Sequence, residues 1–358
     1  MLDFLLAKLG EAAVAGLGGL WIGLLFGFVA QKSRFCLRAA TIDFWRGSIT
    51  PKVAVWVLAF STAVLATQAA ILAGWLDTSG VRFLNARGSL SGAIIGGAMF
   101  GAGMVLTRGC ASRLLVLSAN GNLRALLSGL IFAVTAQASF RGLLSPARDY
   151  LAELWTSSAS QVLNVLAFAG AGHDGGLALG SIFLVVGLSM AWRQHLSWGV
   201  GLSAMAVGLL VAGGWVFTSQ LAAASFDPQP VKSLSFTGPS ANLLMQVLAS
   251  PGGRADFDTG LVPGVVIGSF LAALLARELK LEGFQGGPAM RRYIAGAALM
   301  GFGGMLSSGC AIGSGVTGAA VFATTAWLTL LSMWVAAGVT DRLVDRPERT
   351  IRTEAFQN

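Results

Sequence analysis

The chain has 358 residues, of which 55% are hydrophobic and only 11% charged. A water-soluble domain carries roughly a quarter charged residues, so a fold with its whole surface in water is excluded and lipid is the better solvent. The net charge of +8 invites a nucleic-acid reading, but the placement of the charges points elsewhere.

Charge-free stretches occur in chain order at 12–31, 53–76, 88–107, 125–140, 175–192, 194–226, 259–276 and 293–340. A span takes about 20 apolar residues, so the last stretch holds two and the pattern predicts about nine crossings. Apolar pieces at 36–48, 110–119, 160–169 and 240–249 are too short to cross and read as half-helices or caps. With the N-terminus outside, segments 32–52, 108–124, Arg193, 277–292 and the tail from 341 all fall inside, and they hold most of the 24 lysines and arginines. That is the positive-inside bias, so the basic charge sets orientation and no nucleic-acid partner is expected. The expected architecture is an all-α polytopic bundle of about nine spans plus half-helices.

The chain repeats itself. Residues 96–111 read GGAMFGAGMVLTRGCA and residues 296–311 read GAALMGFGGMLSSGCA, sharing G-x-G-x-x-L-[ST]-x-G-C-A at an offset of 200. Five crossings separate the two copies. An odd number makes them enter the membrane from opposite sides, which predicts an inverted-topology repeat with a site at the repeat interface. The expected division is a first pseudo-repeat over 12–170, a second over 175–340, and a charged cytoplasmic tail over 341–358.

Within the repeat, Gly109 and Gly309 each precede a cysteine at the end of an apolar run. A glycine there permits a helix break and close backbone approach to a ligand, and broken backbone survives in a membrane only where protein or a cavity shields it. The odd cysteine count of 3 excludes a complete disulfide framework. His173 and His195 are the only histidines, and no C-x-x-C pair or G-x-x-x-x-G-K-[ST] loop is present. No metal and no cofactor are therefore expected.

A buried cysteine by itself is a small hydrophobe, but Cys110 and Cys310 hold equivalent places in the repeat. If they open short half-helices, free N–H groups and the positive dipole end suit an anion, and a neutral thiol adds a soft, polarisable donor. Cys36 lies beside Lys32, Arg34 and Arg38, charges that either attract an anion or only set topology. Local residues alone reach a pore for a soft anion.

The paired G-x-G-x-x-L-[ST]-x-G-C-A elements, the Q-K-S-R-F-C stretch at Gln31–Cys36 and the span count resemble the YeeE/YedE family of bacterial inner-membrane sulfur-transport proteins. The resemblance runs over roughly residues 12–340 and implies a permease for thiosulfate or a related small sulfur anion. It further implies a relay of thiols at Cys36, Cys110 and Cys310, and a soluble sulfur carrier of the TusA type as a partner. Candidate pathway residues around those thiols are Gly109, Gly309, Ala111, Ala311, Thr107, Ser307 and Arg108, although Arg108 is matched by Ser308 in the other copy. An enzymatic alternative, a membrane thiol oxidoreductase or sulfurtransferase working through a cysteine persulfide, needs the fold to bring distant cysteines together.

Overall fold

A computed structural model describes the chain except residues 1–5, 7, 86–87, 158–163, 169, 171, 226–229, 250–255, 285 and 346–358. Residues 160–163 and 169 of the apolar piece expected at 160–169, and the tail beyond residue 345, therefore lie outside the described residues, while Val165–Phe168 forms a helical turn. The first half of the chain forms helices α1 (Glu11–Ser33), α2 (Leu37–Trp45), α3 (Pro51–Leu72), α4 (Leu90–Leu106), α5 (Ala111–Ala119), α6 (Leu123–Arg141) and α7 (Ser145–Glu153). They continue as α8 (His173–Arg193), α9 (Trp198–Ala224), α10 (Thr237–Ala249), α11 (Phe257–Leu275), α12 (Gly287–Leu306) and α13 (Thr324–Thr340), with a π-helical turn at Gly313–Gly318. A two-residue antiparallel pairing of Gly88–Ser89 with Thr156–Ser157 is the one sheet among the described residues.

Helix starts carry their own signals. Ser89 and Asn122 accept bonds from Gly92 N and Ala125 N, and Asp256 forms a capping box with Thr259. Each satisfies a backbone donor that has no intrahelical partner.

Seven helical stretches are long and apolar enough to cross a membrane. The sequence pattern predicts about nine. The difference is α12, which carries Arg291 and Arg292 near its start, and α13, which is 17 residues long. Both pack against α4 in the bundle.

Contacts between connecting segments separate into two ends. At the basic end, Arg34 pairs with Glu278, Arg46 with Asp341, and Asp345 with both Arg38 and Arg292. At the opposite end, Ser219 Oγ accepts from Asp77 N, Leu90 N bonds Trp155 O, and Val165 N bonds Phe322 O. Each end gathers the connections that alternate crossings deliver to it.

The two copies are related by a pseudo-two-fold operation. Helices α4 and α12 pack antiparallel through glycines in reciprocal pairs. A Cβ on Gly96 would lie 2.6 Å from Gly303 O, and one on Gly303 would lie 2.6 Å from Gly96 O. Gly103 and Gly296 exchange the same contact, at 2.5 and 2.8 Å. Such pairs let two backbones approach within a membrane. The operation that swaps α4 with α12 also carries α1 on α11 into α9 on α3, α4 on α13 into α12 on α6, and α2 on α3 into α10 on α11, and all of these pairs are in contact. Helix α8 packs on α3, and no helix holds the matching place on α11 among the described residues.

Candidate functional site: two helix breaks, three thiols and a vestibule

Both repeat copies break in the same way, and not at the glycine. Helix α4 ends at Leu106, and Arg108 takes φ 58°; helix α12 ends at Leu306, and Ser308 takes φ 62°. The left-handed residue is thus the non-glycine that precedes Gly109 and Gly309. A non-glycine side chain there costs roughly 1–2 kcal/mol, and each break holds it with a hydroxyl. Thr107 Oγ1 sits between the carbonyls of Gly103 (2.9 Å) and Gly109 (2.8 Å). Ser307 Oγ sits between those of Gly303 (2.8 Å) and Gly309 (3.1 Å).

The glycines have a different use. A Cβ on Gly309 would fall 2.7 Å from Ser314 N and 2.5 Å from its hydroxyl, so only glycine fits. A Cβ on Gly109 would meet the side chain of Leu114 at 3.3 Å, a contact that can relax. The expected close backbone approach therefore holds for one copy more than for the other.

Cys110 and Cys310 follow the breaks and are both fully buried. Cys110 is the N-cap of α5, with its sulfur 3.4 Å from Ser112 Oγ. Cys36 is the N-cap of α2, so two thiols each lead a nine-residue helix. The thiols of Cys36 and Cys110 are neighbours, and the guanidinium groups of Arg113 and Arg38 are the cations facing Cys36. Arg108 faces Arg38 and completes a basic cluster around this pair. Cys310 has different partners. Its sulfur accepts a bond from Gly313 N at 3.4 Å, and its carbonyl accepts from Ser314 N. Ala111 and Ala311, the next residues, are buried small side chains at the two turns.

Beside the Cys310 break lies a cavity of about 370 Å³ that opens at the non-basic end. Its floor includes Ser307, Ser308, Gly309, Gly313 and Thr317, and Arg82 and Arg148 also line it. Lys232 lies within it, with its Nζ 2.7 Å from Asp258 and 3.5 Å from Asp256. Asp258 is 8% exposed, in the first turn of α11. Thr237 Oγ1 borders the same cavity and is buried without a hydrogen-bond partner. An unpaired buried hydroxyl costs about 1–3 kcal/mol, and a ligand oxygen or sulfur in the cavity would satisfy it.

Lys232, Asp258 and Thr237 were absent from the sequence-derived set. A signal for the lysine existed, because Lys32-Ser33 and Lys232-Ser233 repeat at the same offset of 200 as the Gly-Cys elements. Asp258 lies one residue outside a charge-free stretch and reads as a loop residue until α11 buries it.

Comparison with known proteins places the chain in a family. The family described as "Sulphur transport" matches residues 32–339. A thiosulfate transporter TsuA from Escherichia coli K12 is 26% identical over 364 aligned residues, covering 94% of this chain and 97% of that protein. A thiosulfate transporter TsuA from Spirochaeta thermophila is 28% identical, covering 90% of this chain and 98% of its own length. The family and both relatives are transporters, which sets the enzymatic alternative aside. With Cys36, Cys110, Cys310 and the vestibule all inside the matched region, the chain belongs to the Sulphur transport family.

Proposed function

We propose that this protein carries thiosulfate, or a closely related small sulfur anion, across the bacterial inner membrane from the vestibule to the basic end. In this reading the N-terminus is outside, the C-terminus is cytoplasmic, and pseudo-repeats over 12–170 and 175–340 flank the path. The observation that carries the proposal is the vestibule beside Cys310. A cavity lined by Lys232 and by serine and threonine hydroxyls ends on Ser307–Gly309, the residues immediately before a buried thiol.

The chemistry follows from the donors available. Arg82 adds a cation to the cavity wall, and Lys232 and Arg148, paired with Asp258 and Asp149, would offer N–H donors to an entering anion. Hydroxyls of the vestibule and the buried Thr237 replace part of its hydration. The terminal sulfur of thiosulfate accepts an S–H bond from a neutral thiol, whereas a thiolate would repel the anion. Cys310, then Cys110 and Cys36, would form successive donors, and Arg38, Arg108 and Arg113 would receive the anion at the basic end. A small soluble carrier of the TusA type would take it there.

Uptake of labelled thiosulfate into proteoliposomes tests this reading. Wild-type protein is expected to accumulate label, with unlabelled thiosulfate competing better than sulfate. Replacement of each cysteine by alanine is expected to abolish most uptake while the protein remains folded in the membrane. Undiminished uptake by all three single variants would overturn the thiol relay, and equal competition by sulfate would overturn the choice of solute.

A further inference from the structure

The repeat relates two lysines whose surroundings differ in charge. At the opposite end Lys232 is answered by Asp258, the second residue after the N-cap Asp256 of α11. At the basic end its counterpart by offset is Lys32. The residue in the place of Asp258, second after the N-cap Thr50 of α3, is Lys52. Where one copy has a cation facing a carboxylate, the other has two cations.

Between those two cations lies a cavity of about 690 Å³. Lys32, Lys52 and Arg34 line it together with Phe28, Val200 and Leu275. The carboxylate in its wall, Glu278, and the one beside Lys52, Asp43, are already engaged. Glu278 accepts from Gln31 (2.8 Å) and pairs with Arg34 (3.1 Å), while Asp43 accepts from Thr50 (2.7 Å) and pairs with Lys52 (3.2 Å). Lys32 has no carboxylate in ion-pair range among the described residues. Three cations against two carboxylates leave the site net positive, at the end of helices whose outer faces are apolar. None of Cys36, Cys110 and Cys310 lines the cavity, so it is separate from the thiol line.

We propose that this cavity binds the headgroup of an anionic phospholipid, with its phosphodiester on Lys32 and Lys52 and an acyl chain along Phe28, Val200 and Leu275. The external phosphate takes the place that the Asp258 carboxylate holds in the other copy. An inorganic anion would use the lysines but has no need of the apolar wall; an acyl chain needs it. Basic pockets between membrane helices bind acidic headgroups for this reason, each lysine being worth about 1 kcal/mol. The inference rests on the membrane-embedded fold and stands whichever solute is transported.

The test uses the purified full chain in an uncharged detergent. Phosphatidylglycerol, phosphatidylcholine with the same chains, inorganic phosphate and thiosulfate are added separately and in competition, with bound lipid counted by native mass spectrometry. One phosphatidylglycerol is expected to be retained per chain. Lys32→Gln and Lys52→Gln should each weaken retention about fivefold, and Lys280→Gln, a basic-end lysine outside the cavity, should leave it unchanged. Val200→Trp keeps every charge and fills the wall, so it should also weaken retention. Three results would overturn the proposal: equal retention of phosphatidylcholine, unchanged retention in both lysine variants, or displacement of the lipid by millimolar phosphate or thiosulfate. If a lysine variant does not fold, Val200→Trp still decides, because retention unchanged in it removes the acyl groove.

Discussion

The Cys110 and Cys310 breaks share a backbone and differ in almost everything around it. Both have a hydroxyl at the helix end, a left-handed residue and then glycine, cysteine and alanine. Around Cys110 stand a second thiol, Cys36, and the arginines Arg38, Arg108 and Arg113. Around Cys310 stand backbone N–H groups, serine hydroxyls and an open vestibule. The residue that matches Cys36 by offset is Phe236, fully buried with its ring centroid 5.3 Å from that of Phe26. Duplication preserved the device that opens the helix, and each copy then acquired its own chemistry. In the proposed path one copy would admit an anion with hydroxyls and one paired lysine, and the other would hold it with thiols and guanidinium groups.

The largest effect that would sharpen this contrast is loss of a thiol. Removing a donor to a charged group costs about 1.5–3 kcal/mol, or roughly 10–100-fold in rate. Cys310→Ala and Cys110→Ala should both lose uptake on that scale, measured as initial rates in proteoliposomes. Cys110→Ser should recover part of the loss, because Ser112 already offers a hydroxyl at this break. A short bifunctional thiol reagent should join Cys36 to Cys110 and leave Cys310 singly modified, as read by peptide mass spectrometry. A Cys110–Cys310 product would break the comparison.

The lysine of the vestibule comes next. Lys232→Gln leaves Asp258 buried without its cation, a change worth about 3–5 kcal/mol in a buried pair. It should lower thermal stability and raise KM for the anion. Asp258→Asn removes the competing carboxylate and should lower KM instead. The double variant should regain stability without regaining affinity. Equal KM values in all four proteins would remove Lys232 from the path.

The glycines should separate the copies by a smaller margin. Gly309→Ala forces a Cβ against Ser314 and should destabilise by about 1–3 kcal/mol, the usual cost of overpacking. Gly109→Ala meets only the movable Leu114 side chain and should cost under about 1 kcal/mol. Thermal melts in detergent compare them, and equal costs would contradict the different approach distances. The smallest effect is relief of strain. Ser308→Gly should stabilise the Cys310 break by about 1 kcal/mol, visible as a small rise in Tm.

Much of this was legible in the sequence because a bilayer imposes local rules. Each crossing must be apolar over its own length, so the charge-free stretches locate α1, α3, α4, α6, α8, α9 and α11 with little need of context. The crossings at α12 and α13 were legible from the repeat and from the length of 293–340 more than from apolarity, since Arg291 and Arg292 dilute α12. The inverted relation of the Gly-Cys elements followed from counting crossings, and the reciprocal glycine contacts of α4 with α12 give it an interface. The sequence also drew attention to Gly109 and Gly309 as the points of helix breakage, whereas the structure assigns the left-handed turn to Arg108 and Ser308. Backbone handedness depends on how the two flanking helices are held, and residue type biases it without deciding it.

What the residues determined by themselves is therefore the solvent, the places of most crossings, the duplication and the positions of the thiols. These depend on composition and on spacing along one chain. Only tertiary structure decided which distant groups meet: Cys36 with Cys110, Lys232 with Asp258, and Thr237 with an open cavity. Those contacts arise where helices far apart in the chain are pressed together, as α1 is against α11 through Gly23, Gly27, Gly264 and Gly268. The physical reason is that the energy of a buried pair depends on distance and desolvation at the meeting point, and neither quantity is written at either residue's place in the sequence.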